Sequence, residues 1–294
     1  MNTHTPTPPA VVITGVSTGI GYETAKLLIS RGIKVFGSVR KAQDAERLTQ
    51  KWGSLFFPLI FDVTDNLSIQ QAANNVRKQL NGHTLWGLIN NAGMAVTGPL
   101  LYLPINDFQK QLDTNLTGQL MVIQAFTPLL GADKTLTGKP GKIINMSSVS
   151  GKNGYPFMGA YATSKFGLEG LSECLRRELM IFGIDVIIVG PGIVKTPIWD
   201  KIRKQNVSDS LTNTVYEKPA KICEDFILSG EKNGLSTETI ANLLLNILQS
   251  NHPKTRYAPV SNKFINWTIP NILPKRLVDW IIAKKIGLKP HATK

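Results

Sequence analysis

The sequence predicts an α/β fold, a doubly wound parallel sheet of seven strands with helices on both faces, built as a single domain. Short apolar runs alternate with longer helix-like stretches along most of the chain. Such alternation is typical of a parallel sheet that is covered on both sides. A glycine-rich turn follows the first apolar run, and polar residues follow several later ones. Because ligands bind outside the carboxyl ends of the strands in doubly wound sheets, these segments are expected to line one crevice.

Seven short apolar runs are the predicted strands. They are Val11–Thr14, Lys34–Val39, Phe56–Phe61, Trp86–Asn90, Lys142–Met146, Asp185–Val189 and a short run near Arg256–Ala258. Apolar residues at helical spacing predict the helices between them. The clearest helical patterns are Tyr22–Ser30, Leu67–Leu80, Phe108–Leu130, Phe157–Phe182 and Thr237–Leu248.

Length and composition suit one large domain, since 294 residues with 42% hydrophobic and 18% charged side chains can bury a sizeable core. Residues 1–9 are rich in Thr and Pro, which predicts a disordered lead-in and no signal peptide. Residues 10–262 are expected to form the main body, with a loop-rich insertion at 195–234. Residues 263–294 are expected to form a C-terminal helical extension of the same domain.

Charge and cysteine content restrict the partners. The net charge of +13 favours anionic partners such as a phosphorylated cofactor or an acidic membrane face. No nucleic acid is expected, because the basic residues are scattered and no nucleic-acid-binding module is visible. No apolar run reaches ~18 residues, which argues against a spanning helix. Cys174 and Cys223 lack metal-binding spacing and none of the four His matches a metal site, so no metal, reduced thiols and a cytoplasmic location are expected.

Tyr161 and Lys165 are the strongest catalytic candidates. Residues four apart share one helix face, so the spacing brings a phenol with a pKa near ~10 beside an ammonium. A neighbouring cation favours the phenolate, which predicts a lowered Tyr161 pKa and proton exchange with an alcohol or carbonyl. Ser148 lies thirteen residues upstream, just past an apolar run. The alternative is that Tyr161 is an ordinary core residue of an amphipathic helix.

Three glycines, Gly15, Gly19 and Gly21, separate the first strand from the first helix. Glycine allows a tight turn and close approach to a phosphate, and a helix N-terminus favours the anion. A plain strand-to-helix turn is the alternative. In the segment 90–93, Asn-Asn-Ala-Gly, a later strand ends in two amides and a glycine, and the alternative there is a polar turn.

The end of the second strand bears on cofactor choice. In dinucleotide folds an acidic residue ~20 positions past the glycines binds the ribose 2′-hydroxyl. Here Val39 is followed by Arg40 and Lys41, and no acid occurs until Asp44. The Arg40 guanidinium suits a phosphate, with Ser38 and Lys41 as helpers, so NADP(H) is predicted over NAD(H). The alternative is a solvated basic turn.

Together these residues resemble the short-chain dehydrogenase/reductase family. The motifs occur in family order over roughly residues 10 to 260, and they are Thr14-Gly-x-x-x-Gly-x-Gly21, Asn90-Asn-Ala-Gly93, Asn115, Ser148, Tyr161-x-x-x-Lys165 and Pro191-Gly192. The resemblance, closest to retinol and hydroxysteroid dehydrogenase-like members, implies a Rossmann fold. It also implies an NAD(P)(H)-dependent oxidoreductase that interconverts a carbonyl and an alcohol.

The resemblance also assigns roles to residues. Ser148 is expected to bond the reacting oxygen, Tyr161 to transfer the proton, and Lys165 to lower the Tyr161 pKa and bind the nicotinamide ribose. Asn115 is expected to hold a water that links Lys165 to solvent. The implied cofactor-binding residues are Gly15, Ser17, Thr18, Gly19, Ile20, Gly21, Arg40, Asp62, Val63, Asn90, Ala92, Gly93, Tyr161, Lys165, Pro191, Gly192, Val194 and Thr196. Thr18 stands where many NADP(H)-dependent members carry a basic residue.

The substrate is predicted to be a bulky lipophilic ketone or alcohol, steroid-, retinoid- or lipid-like. Apolar side chains in the insertion and before the catalytic helix predict an apolar wall, and they are Tyr155, Phe157, Met158, Ile198, Trp199, Ile202 and Tyr216. A 3-ketoacyl thioester reductase is the runner-up. A non-catalytic NADP(H)-sensing binding protein is the alternative of another class. Enoyl reductase chemistry is disfavoured, because Met158 occupies the position of its tyrosine.

Two further partners are predicted. The Phe108–Leu130 and Phe157–Phe182 helices are apolar on more than one face, which favours a homodimer or homotetramer. After Pro274 an amphipathic helix is expected, with lysines at 284, 285 and 289 beyond its apolar stripe. Three roles for this helix stay open, namely packing on the core, closure of the substrate pocket, and a weak peripheral contact with membrane.

Overall fold

The computed structural model describes residues 9–205 and 211–288. The predicted lead-in therefore lies outside the described residues except for Pro9, and so does Lys289. All seven predicted strands are present in one parallel sheet of order β3-β2-β1-β4-β5-β6-β7. The strands are β1 (Ala10–Ile13), β2 (Lys34–Val39), β3 (Phe56–Ile60), β4 (Gly87–Asn90), β5 (Lys142–Met146), β6 (Asp185–Val189) and β7 (Arg256–Tyr257). The doubly wound fold is confirmed.

Helices connect the strands and cover both faces of the sheet. They are α1 (Gly19–Ser30), α2 (Ala42–Trp52), α3 (Asn66–Gln79), α4 (Ile105–Leu112), α5 (Gly118–Phe126), α6 (Gly159–Glu178), α7 (Ile198–Arg203), α8 (Glu217–Lys232), α9 (Thr237–Gln249), α10 (Ile269–Ile272) and α11 (Lys275–Ile286).

Two apolar layers explain why the strands read as unbroken apolar runs. Val12 packs into the layer formed with α3 and α5. Its neighbours Val11 and Ile13 pack into the opposite layer, formed with α1 and α9. Successive side chains of a strand point to opposite faces, so a sheet covered on both sides requires apolar residues at every position.

The long helix predicted from Phe108 is interrupted. A π-helical turn at Asp113–Thr117 separates α4 from α5, and a 3₁₀ turn at Thr127–Leu130 ends the unit. The π turn carries Asn115, which is completely buried. Single π turns inside helices often mark functional sites, and this one directs an amide into the interior.

The insertion at 195–234 is more helical than its sequence pattern predicts, because it contains α7 and α8. Its apolar residues pack against the C-terminal extension, where Ile286 of α11 is buried with Ala220 and Cys223 of α8. Within the described ranges, no helix is both long enough and apolar enough to cross a membrane.

Candidate active site

A cleft of about 570 Å³ lies at the carboxyl ends of the strands. It is lined by most of the residues that the sequence assigned to a cofactor. Those residues are Gly15, Ser17, Thr18, Gly19, Ile20, Arg40, Asp62, Val63, Ala92, Gly93, Tyr161, Lys165, Pro191, Gly192, Val194 and Thr196. Ser148 lines the same cleft. Three assigned residues, Gly21, Asn90 and Asn115, lie outside its lining.

The glycine turn depends on backbone conformation. Gly15 and Gly19 have φ of +72° and +65°, in the left-handed region that favours glycine. A Cβ on Gly21 would lie 2.3 Å from the Gly15 carbonyl oxygen, so Gly21 permits close packing of the turn. The turn leads into α1, whose first turn carries no acidic residue and whose N-cap Thr18 makes no side-chain capping bond. The first N–H groups of α1 are thus suited to an anion.

The amide that secures this turn is Asn91, which the sequence assignment missed. Its Nδ2 donates to the carbonyl oxygens of Thr14 at 2.9 Å and Gly15 at 3.1 Å. The Thr14 hydroxyl in turn accepts the backbone N–H groups of Asn91 and Ala92, each at 2.9 Å. Asn90 instead points inward and donates to Asn145 at 2.9 Å. The strand end provides the signal, since Asn90 is the last residue of β4 and Asn91 the first beyond it.

Arg40 and Asp62 stand at the end of the cleft nearest β2. The Arg40 guanidinium is 3.7 Å from the Asp62 carboxylate, and the Arg40 side chain is 71% exposed. Ser38, expected to help with a phosphate, is buried and accepts the Gly15 N–H at 2.9 Å. Lys41 is not among the lining residues. Arg40 therefore presents a largely exposed guanidinium at this end, paired with Asp62 at long range.

Ser148 and Tyr161 meet at the opposite end of the cleft. The Ser148 hydroxyl accepts the Ser150 N–H at 3.1 Å, which orients it. Burial raises the pKa of Tyr161, and hydrogen bonding to Ser148 opposes that shift. The expected lowering of the Tyr161 pKa is therefore wrong in its net direction, because desolvation of the phenolate outweighs the neighbouring groups. The phenol is protonated at neutral pH.

Lys165 is buried one helical turn from Tyr161. Its Nζ donates to the Met146 carbonyl oxygen at 2.7 Å and lies 5.7 Å from the centre of the Tyr161 ring. Burial lowers the pKa of Lys165 to about 8, and the carboxylate of Glu169 opposes that shift. A buried ammonium that titrates near neutrality is typical of active sites.

The Asn115 side chain makes three hydrogen bonds to protein groups. Its Oδ1 accepts the Met94 N–H at 2.9 Å, and its Nδ2 donates to the Met94 carbonyl at 2.9 Å and to Ser164 Oγ at 3.2 Å. These bonds join the π turn to the loop after β4 and to α6. The side chain acts as a brace between these elements; both of its N–H groups are used, and Oδ1 keeps a second lone pair.

The apolar wall of the cleft is only partly the one that the sequence predicts. Apolar residues from the loop after β4, from the residue before α6 and from α7 line the cleft, and they are Met94, Ala95, Met158, Ile198, Trp199 and Ile202. Phe157 and Tyr216 instead pack edge to face in a separate cluster. No lining residue lies beyond Ile202 in the ranges that the structure describes. Closure of the pocket by the extension is therefore not observed.

Comparison with known proteins relates this chain to dehydrogenases and reductases. The chain matches the family described as short chain dehydrogenase over residues 9–207. The NADPH-dependent 3-dehydrocapnine reductase of Ornithobacterium rhinotracheale is 33% identical over 277 residues, covering 94% of this chain and 96% of that protein. Retinol dehydrogenase 5 of Homo sapiens is 34% identical over 297 residues, covering 93% and 89%. A short chain dehydrogenase/reductase from Burkholderia phymatum in complex with NAD has a TM-score of 0.73 at 22% identity, covering 98% and 97%.

Proposed function

The chain belongs to the short-chain dehydrogenase/reductase family and is an NAD(P)-dependent oxidoreductase of carbonyl and alcohol groups; we propose that it uses NADP(H) to reduce a bulky lipophilic ketone. The observation that carries this proposal is the cleft itself, in which a glycine turn and Arg40 stand at one end and Ser148 and Tyr161 at the other. The domain boundaries expected from the sequence, a body at 10–262 with an extension at 263–294, form part of the same proposal.

The residues of the cleft fit a dinucleotide. Gly15 and Gly19 hold a turn that other residues would strain, and the uncapped start of α1 offers N–H groups to a diphosphate. At the other end of the cleft, Lys165 beside Tyr161 would hold the nicotinamide ribose. The cofactor, when bound, supplies or accepts the hydride.

The catalytic residues act on the reacting oxygen. Ser148 donates a hydrogen bond to the carbonyl oxygen, and Tyr161 delivers the proton as negative charge develops there. The raised pKa of Tyr161 keeps the phenol protonated at neutral pH, which is the form that carbonyl reduction consumes. The Lys165 ammonium stabilises the phenolate left behind.

Preference for NADP(H) rests on Arg40. Its ion pair with Asp62 is exposed and at 3.7 Å, and such pairs contribute about 0–1 kcal/mol. A 2′-phosphate can therefore recruit the guanidinium at small cost, and charge-assisted bonds to phosphate are stronger than that pair. The relative named as NADPH-dependent supports this preference.

A lipophilic substrate is supported by the apolar wall. Met94, Met158 and Trp199 line the cleft, and Met158 and Trp199 pack in one cluster with Tyr161. The Trp199 indole is oriented by a 2.7 Å bond to the Val194 carbonyl. Relatives named for 3-dehydrocapnine and retinol fit such a wall.

The test is a screen of lipophilic ketones, 3-ketoacyl thioesters and the corresponding alcohols with both cofactors, following absorbance of the reduced nicotinamide. We expect the highest kcat/KM for a lipophilic ketone with NADPH. A preference for the thioester would replace the proposed substrate with the runner-up. Turnover of none of these compounds would contradict the proposal.

We also propose a cytoplasmic homo-oligomer, dimer or tetramer. Phe166, Met180 and Ile181 on α6 and the turn that follows are exposed apolar residues, and a subunit contact would bury them. Sedimentation of the parent and of Phe166→Glu is the measurement. Monomer alone at micromolar concentration in the parent would contradict the proposal.

A weak peripheral membrane contact is proposed for α10 and α11. Ile272 and Trp280 are 75% and 60% exposed, and Lys284 and Lys285 follow in the last turn of α11. Apolar residues beside lysines suit an anionic lipid surface. Co-sedimentation with anionic and neutral vesicles tests it, with Trp280→Ser as the weakened variant. Equal recovery with both vesicle types would contradict it.

A further inference from the structure

Glu169 continues the catalytic face of α6. Tyr161, Lys165 and Glu169 are spaced four apart, so the carboxylate lies one turn beyond the buried ammonium. Its side chain is only 4% exposed. Charged side chains are almost never fully buried unless they are paired. The buried Glu169 carboxylate is therefore expected to have charged or hydrogen-bonding partners.

The main partner is Arg256 of β7, 87 residues away. Arg256 Nε lies 2.9 Å from Oε2 and 3.2 Å from Oε1, and its Nη2 lies 3.0 Å from Oε1. Ser147, the neighbour of Ser148, donates its hydroxyl to Oε1 at 2.7 Å. The side chain of Lys152, on the protein surface, places its Nζ 3.5 Å from Oε2. One carboxylate thus joins α6, β7 and the segment that carries the catalytic serine.

The surrounding backbone leaves room for this ion pair. A Cβ on Gly190 would lie 2.5 Å from Arg256 Nη2 and 3.1 Å from the Ser148 carbonyl oxygen. A Cβ on Gly151 would lie 2.9 Å from Glu169 Cγ. Arg256 Nη2 also lies 3.5 Å from the Ser148 carbonyl oxygen.

Arg256 also contacts the C-terminal extension. Its guanidinium carbon lies 4.4 Å from the centre of the Trp267 ring, an arrangement in which the ring attracts the cation. The extension does not line the cleft, so this contact gives it an indirect route to the catalytic group.

We propose that Glu169 and Arg256 are positioning residues, which hold the Ser147–Ser148 backbone against α6, balance the charge around Lys165 and connect both to the extension. Stability alone does not account for the pair, because replacing a buried ion pair by apolar residues is often neutral or stabilising. The inference rests on the proposed function, in which Ser148, Tyr161 and Lys165 act on the substrate.

The two charges act on Lys165 with opposite signs. The Glu169 carboxylate stabilises the ammonium. The Arg256 cation is bound to that carboxylate and is expected to oppose its effect on Lys165. Among the described residues, the other titratable or charged groups at this cluster are Tyr161 on α6 and Lys152 after β5. Neutral replacements at 169 and 256 should therefore move the pH dependence in opposite directions.

The experiment measures kcat against pH for ketone reduction in Glu169→Gln, Arg256→Gln and the double variant. We expect the alkaline limb of kcat to move down by roughly one pH unit in Glu169→Gln and up in Arg256→Gln, the order expected for a charge one turn away. The double variant is expected near the parental position. The KM for NADPH should stay parental throughout, because neither residue lines the cleft.

The matched control is Glu173→Gln, one turn further along α6, where the carboxylate is 52% exposed and paired with Arg177. Its profile should be parental. If Arg256→Gln does not fold, Glu169→Gln and the double variant decide, since removing the cation must move the limb back up. An unmoved limb in folded Glu169→Gln, or equal shifts in both of those variants, would overturn the proposal.

The link to the extension has its own test. Trp267→Leu should lower kcat with little change in the KM for the ketone, whereas Phe264→Leu, at an exposed position of the same π turn Phe264–Thr268, should not. Equal kcat values in the two variants would remove the extension from the proposal. Tyr161→Phe is measured in the same assay, and its retention of turnover would reject the proposed function itself rather than the role of Glu169.

Discussion

The two ends of the cleft differ in the part of the chain that forms them, which is backbone at one end and side chains at the other. At the β1–β2 end, the turn around Gly15 works through backbone conformation, and the side chains of Ser38 and Asn91 hold that backbone in place. At the β5–β7 end, the site is formed by side chains, with Lys165 and Glu169 both buried inside the protein. The first end is suited to hold a ligand whose anionic groups need N–H donors, and the second to move a proton.

Mutations at the two ends of the cleft should therefore have different effects on stability and on activity. A backbone conformation is not removed by deleting an atom, but added bulk disturbs it and with it the fold. A buried catalytic side chain can be truncated with little loss of stability, and sometimes with a gain, because its placement is itself costly. The following predictions test that separation.

The largest effect is expected for Tyr161→Phe, which removes only the hydroxyl that donates the proton. Turnover should fall by about 10²–10⁴-fold, the usual contribution of a positioned acid or base. Cofactor affinity should be parental, since binding at the glycine turn is untouched. Steady-state kinetics and fluorescence titration with NADPH measure the two quantities. Loss of affinity equal to the loss of turnover would show that the two ends are not separable.

At the other end, Arg40→Ala should weaken NADPH binding by roughly ten- to a hundredfold, because a charge-assisted phosphate contact contributes about 1.5–3 kcal/mol. NADH binding should change little. Lys41→Ala is the control, since Lys41 does not line the cleft. Titration with both cofactors decides, and an NADPH affinity insensitive to Arg40 would withdraw the assignment.

Gly21→Ala tests the dependence of the turn on close packing. Its Cβ would meet the Gly15 oxygen at 2.3 Å, and overpacking of this kind costs about 1–3 kcal/mol. We expect a lower free energy of unfolding together with weaker cofactor binding. Gly170→Ala, at an exposed helical position with open space around it, should be neutral or stabilising by up to ~1 kcal/mol. Denaturant unfolding of both variants is the measurement, and equal values would contradict the argument.

The smallest effect is expected for Lys165→Met on stability. The folded pKa of Lys165, about 8, lies below its ordinary value of 10.5. The buried charge therefore disfavours folding at all pH values below about 8, and this cost is relieved as pH rises from 8 to 10.5. At neutral pH the variant should be more stable by on the order of 1 kcal/mol, after loss of the Met146 hydrogen bond is included. Unfolding at neutral and alkaline pH should show the difference shrinking as pH rises, and a growing difference would reverse the sign.

Local pattern was sufficient for the scaffold and for placing Tyr161 and Lys165 on one helix face. Strands β2, β5 and β6 have the predicted bounds, because unbroken apolar runs between turn residues depend only on neighbours in the chain. The spacing of Tyr161 and Lys165 likewise determines that they share a helix face. Turn chemistry located the glycines for the same short-range reason.

The remaining features depend on which distant residues pack around each group. Whether Asn90 or Asn91 braces the turn was decided by the point at which β4 ends, and the direction of the Tyr161 pKa shift by its burial. The pairing of Glu169 with Arg256 required two segments 87 residues apart to meet at the sheet edge. Burial and charge pairing are properties of the assembled interior. The sequence by itself therefore determined which residues are present at the site, and only the tertiary structure decided which atoms face the cleft and in which charge state.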